Sequence, residues 1–124
     1  MSETRTVIVA GASAKQSAHI RQCLPNWECV NAPLNDEGTA ISSIGTTPTL
    51  AIVHAQEEKK NTLAICEQLR NSPQSSAAPI LLVISRYEIT QGNAVKRMGN
   101  AAFIMTPFDE EELRRKTAEL IKDT

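Results

Sequence analysis

His54 ends the apolar run LAIV that begins at Leu50. An imidazole at a strand end offers a nucleophilic or metal-ligating nitrogen, but ligation needs companions. No Cys, Asp or second His stands at ligand spacing from it, so the simpler reading is a partly solvated histidine bonded to a loop carbonyl. The segment AGASAKQ, from Ala10, sets a glycine between an apolar run and a helical pattern, which can bring a phosphate to a helix N-terminus. The later glycines of a dinucleotide fingerprint and the GK[ST] of a P-loop are missing, so Ser13 reads as an N-cap and Lys15 as surface. Cys23 and Cys29 offer a redox pair, though no feature lowers a thiol pKa, and with Cys66 they read as small buried hydrophobes. Glu57, Glu58, Lys59 and Lys60 read as a solvated loop. No Ser-His-Asp, Cys-His or paired-carboxylate pattern is visible, so no enzymatic activity, cofactor or metal is expected.

The chain has 124 residues, one domain's worth, and all of 1–124 is read as a single unit. Thirteen basic residues face fourteen acidic ones, for a net charge of -1, so no broad positive field exists to hold nucleic acid or an anionic membrane. The cysteines are too few and too irregular for a disulfide framework. The start of the chain does not read as a signal peptide, and no stretch is apolar over a bilayer's thickness. A cytoplasmic protein is expected.

The elements that would position these residues follow from hydrophobic pattern. Four runs of strand length, TVIVA from Thr6, LAIV from Leu50, ILLVI from Ile80 and AAFIM from Ala101, are nearly continuous in hydrophobicity. Strands covered on both faces read this way. ECVNA, from Glu28, is weaker and suits an edge. Between them the spacing predicts five helices. The first, over 13–24, turns Ala14, Ala18, Ile20 and Leu24 inward. The second spans 36–44 and the third 61–70, the latter offering Leu63, Cys66 and Leu69. The fourth, over 90–98, is marginal, because Ala94, Val95 and Met98 give a small face and Gly92 weakens its start. The fifth opens on Asp109 and Glu112, a capping box, and aligns Leu113, Thr117, Leu120 and Ile121. Alternating strands and helices on short connections make a doubly wound α/β domain with a parallel sheet.

On these residues the whole chain resembles the receiver domain of bacterial two-component response regulators. GNAAFIMTPFDEEEL, from Gly99, is similar to the family's G-A-D-x-Y-L-x-K-P-F-D-x-x-E-L, and PTLAIVHA, from Pro48, is similar to its P-D-L-I-L-L-D stretch. LAICEQLR and PILLVIS match the third helix and fourth strand. The resemblance implies a flavodoxin-like, five-stranded sheet of order 2-1-3-4-5 with five helices and a cis Thr106–Pro107 bond. It also locates the phosphorylation chemistry and shows it altered throughout. The acidic pair falls on Gly11 and Ala12, so the Mg²⁺ ligands are absent. The phosphoacceptor position is His54, which cannot form an acyl phosphate. The hydroxyl position is Ile84, with Ser85 beside it, and the lysine position is Thr106.

A pseudo-receiver is therefore expected: a phosphorylation-independent protein interaction module of a two-component or phosphorelay pathway. The alternative is a small-molecule or redox sensor on the same scaffold. By the same resemblance, the fourth helix, fifth strand and fifth helix form the face for a signalling partner or a homodimer. There Ile84 should fill the space that the family's switching aromatic enters, and hold Phe103 outward beside Lys96, Arg97 and Met98.

Overall fold

The computed structural model describes residues 5–10, 14–32, 49–54, 66–67, 70–71, 78–85 and 89–122, except for the side chains of 31, 32, 91 and 122. Five strands carry the apolar runs: β1 Arg5–Ala10, β2 Trp27–Ala32, β3 Leu50–His54, β4 Ile80–Ile84 and β5 Ala101–Met105. All neighbours pair in parallel, in the order β2-β1-β3-β4-β5, as expected. Every residue of β3 and β4, which have a strand on either side, is buried. β5 is an edge, and its pattern of half-buried residues ending in an exposed Met105 reflects cover on fewer sides. Its continuous hydrophobicity had suggested fuller cover.

Alternation along the strands divides the core into two layers. Ile8, Ala10, Ala51, Val53, Ile80, Leu82 and Ile84 face one side, together with Cys66 and Val95. Val7, Val9, Leu50, Ile52, Leu81, Val83 and Ile104 face the other, with Ile20, Leu113 and Leu120 from helices. Apolar packing on both faces is what a doubly wound domain requires.

Three helices have described bounds: α1 Ala14–Cys23, α2 Ile89–Lys96 and α3 Glu110–Lys122. They correspond to the expected first, fourth and fifth helices. Cys66, Glu67, Arg70 and Asn71 are also helical, within and just past the third expected helix. The second, over 36–44, lies outside the described residues. The inward face of α1 differs from expectation. Ser17, Ile20 and Cys23 are buried, whereas Ala14 and Ala18 are exposed. Ile20 and Cys23 are the larger apolar groups, and turning them in carries Ser17, one turn earlier, to the same face.

α3 starts where its capping residues predict. The Glu112 backbone N–H donates to Asp109 Oδ1 at 2.8 Å, and three glutamates fill the first turn, at the positive end of the helix dipole. Leu113, Thr117 and Leu120 are buried along one face. Arg114 ties α3 to α1 by donating from Nε to the Cys23 carbonyl at 2.9 Å. α2 ends in a tightened turn, where Met98 N–H donates to the Val95 carbonyl at 3.0 Å and Gly99 N–H to Lys96 at 3.3 Å. Gly99 and Asn100 then take φ of 80° and 52°, the left-handed region that glycine and asparagine tolerate best. Arg70 Nη2 donates to the carbonyls of both, at 2.7 and 2.6 Å, pinning the entry to β5.

Candidate functional site

The register brings the sequence-derived positions to one end of the sheet. Ala10, the last residue of β1, lies across from Val53, and His54 lies across from Val83. Ile84 lies across from Met105, and the next N–H, that of Thr106, donates to the Ile84 carbonyl at 2.8 Å. His54, Ile84 and Thr106 thus stand at the carboxyl ends of β3, β4 and β5, where open α/β sheets hold their ligands. Gly11 and Ala12 follow Ala10 directly but lie outside the described residues, as does Ser13.

His54 is not partly solvated as expected: it is 5% exposed. Leu50 and Ile52 belong to the layer under α1 and α3, and strand alternation sends His54 to that side. Burial, and secondarily the nearby His19, lowers its pKa from 6.5 to about 4. The imidazole is therefore neutral at physiological pH, and its Nδ1 has no hydrogen-bond partner among the described residues. A buried neutral imidazole carries no positive charge to attract a phosphoryl group. His19 stacks on Phe108, with ring centroids 5.1 Å apart, so α1 meets the segment that follows the cis Thr106–Pro107 peptide. The cis bond agrees with the sequence reading.

Ile84 is 1% exposed and faces the opposite layer. Phe103 is half-buried in that layer, as is Met98. A Cβ added to Gly92 of α2 would stand 2.9 Å from Ile84 Cδ1 and 3.0 Å from Phe103 Cγ and Cδ2. The ring therefore lies against the α2 backbone and is not held outward. Ile84 does not exclude it, because Gly92 leaves the space that any side chain would take. Sequence reading treated Gly92 only as a helix weakener; its place within a short amphipathic pattern was the available signal of close approach.

The surface beside this layer is apolar and basic. Lys96 and Arg97 are exposed, and so are Ile89, at 39%, and Met105, at 42%. The last two were not singled out from sequence, since an exposed apolar residue cannot be told from a core one by type alone. Burial, the leading cause in each case, raises the thiol pKa of Cys23 and Cys29 and pushes that of Cys66 up to about 12. All three are free thiols, and none is activated. Among the described residues, no helix is long and apolar enough to cross a membrane.

No family model matches the chain, and no curated protein matches it. Solved structures do. A response regulator from Chloroflexus aurantiacus, itself described as putative, superposes with a TM-score of 0.79 at 17% identity, covering 97% of this chain and 99% of that one. The chemotaxis response regulator CheY4 of Vibrio cholerae superposes at 0.76 with 15% identity, covering 95% and 99%. A response regulator receiver domain from Clostridium thermocellum gives 0.78 at 12% identity, covering 96% and 95%. At these identities the likeness shows the fold: the chain has the fold of response-regulator receiver domains.

Proposed function

We propose that this chain is a phosphorylation-independent protein interaction module of a bacterial two-component or phosphorelay pathway, acting in the cytoplasm and without catalysis of its own. One observation carries the reading: in a receiver fold, the phosphoacceptor position holds His54, 5% exposed and with its pKa lowered to about 4. The residue types at the other receiver-site positions agree, since Gly11, Ala12 and Thr106 offer no carboxylate to a metal and no ammonium to a phosphate. The partner surface is the face of α2, β5 and α3. Ile89 and Met105 supply apolar contact there, and Lys96 and Arg97 supply charge that favours an acidic signalling protein. A homodimer through the same face is the second form of this reading. The redox form of the sensor alternative has no support in thiols whose pKa values are all raised.

The test uses the immobilised chain and extract of its own host. Met105→Ser with Arg97→Glu changes two exposed residues, so the fold should survive, as circular dichroism can verify. The double variant is expected to retain its partner about tenfold less tightly than the parent, the loss of one good contact cluster. Acetyl phosphate should leave the parent's affinity unchanged. Undiminished binding by the variant would place the interface elsewhere, and tighter binding after acetyl phosphate would contradict phosphorylation independence.

A further inference from the structure

At the end of the sheet opposite His54, where β1 and β2 begin, lies an open cleft of about 380 Å³ between the C-terminal end of α1 and the flank of α3. That volume falls at the small end of the range in which proteins hold small molecules, roughly 300 to 1,000 Å³. Leu24, Trp27 and Ile121 give it apolar walls, while Arg5, Arg114 and Thr117 give it polar groups. No carboxylate is among the described residues that line it.

Both guanidinium groups are held before any ligand arrives. Arg5 Cζ sits 5.7 Å from the centre of the Trp27 ring, within cation–π range. Arg114 donates from Nε to the Cys23 carbonyl at 2.9 Å and pairs through Nη2 with Glu110 one turn back. Glu110 offsets part of the charge, but those bonds fix the guanidinium plane and leave further N–H donors for a planar oxyanion. Thr117 is a second, independent sign. It is 4% exposed, and its Oγ1 is buried with no hydrogen-bond partner among the described residues. A buried hydroxyl in that state adds a polar group to the wall of the cleft that the described residues leave unsatisfied.

We propose that this cleft binds a small aromatic carboxylate, its carboxylate taken by Arg5 and Arg114 and its ring by Leu24, Trp27 and Ile121. Carboxylate and guanidinium match in charge and in planar geometry, and preorganised donors lower the ordering cost of binding. The site lies at the strand starts, not at the strand ends where doubly wound sheets ordinarily hold ligands. It therefore does not depend on how the His54 end is read.

The sequence contains one tryptophan, so the full ¹⁵N-labelled chain shows a single indole N–H resonance, that of Trp27. Titration with 1-naphthoate is expected to shift that resonance saturably. The uncharged 1-naphthamide should bind at least about tenfold more weakly, the value of one charge-assisted hydrogen bond. Arg5→Gln, an exposed change, should weaken naphthoate by about the same factor and leave the amide unaffected. Equal affinity for acid and amide, an Arg5→Gln variant that binds naphthoate as the parent does, or shifts confined to residues away from the cleft would overturn the proposal. So would the absence of saturation at millimolar naphthoate.

Discussion

His54 is stable as a neutral group because its imidazole is largely cut off from water, and no described residue gives a charge there a counter-ion to offset desolvation. This couples folding to pH in a defined direction. The unfolded chain takes up a proton at His54 near pH 6.5, whereas the folded chain resists it until about pH 4. Between those values the unfolded state binds more protons, so the contribution is complete above pH 6.5 and declines as pH falls toward 4. Its full extent is about 3 kcal/mol, an upper figure for a single group. Urea unfolding of the parent and of His54→Gln, at pH 7 and at about pH 4.5, isolates the effect from ordinary carboxylate titration. The parent should lose about 2 kcal/mol more than the variant over that interval. Equal losses would mean that the imidazole is already solvated in the fold.

Helix α2 lies close to β4 and β5 because Gly92 puts bare backbone against Ile84 and Phe103. Two effects oppose each other in Gly92→Ala. Alanine favours the helix by about 1 kcal/mol, while overpacking a tight interface costs about 1 to 3. The Ile84 Cδ1 methyl ends a flexible chain and can move aside, but the Phe103 ring carbons cannot yield without swinging the whole ring. Gly92→Ala is therefore expected to destabilise by about 1 kcal/mol net, and adding Phe103→Leu should recover part of the loss. A more stable Gly92→Ala would show that the helix simply shifts outward. This contact marks where sequence reading stops. Hydrophobic runs located all five strands, and Asp109 with Glu112 located the start of α3, because those signals are local. Which face of α1 turns inward, and which way Phe103 lies, depend on neighbours distant in sequence. Burial of Ser17 and the space left by Gly92 were therefore not legible.

The same limit applies to the candidate site. Its residue types were readable through resemblance to receivers, and the parallel register gathers His54, Ile84 and Thr106 at one end of the sheet. The burial of His54 was not readable, because it results from packing between β3 and the layer under α1 and α3. These features support the proposal of a receiver scaffold without an acyl-phosphate switch, with the α2, β5 and α3 face as its proposed partner surface. A phosphoryl mimic tests that most directly. In the ¹H–¹⁵N spectrum of the full chain, Mg²⁺ with beryllofluoride should produce no saturable change at Ala10, Val53, His54, Ile84 or Thr106, since the positions Gly11, Ala12 and His54, which match the family's metal ligands and phosphoacceptor, carry no carboxylate. Saturable, Mg²⁺-dependent shifts centred on those residues would contradict the account.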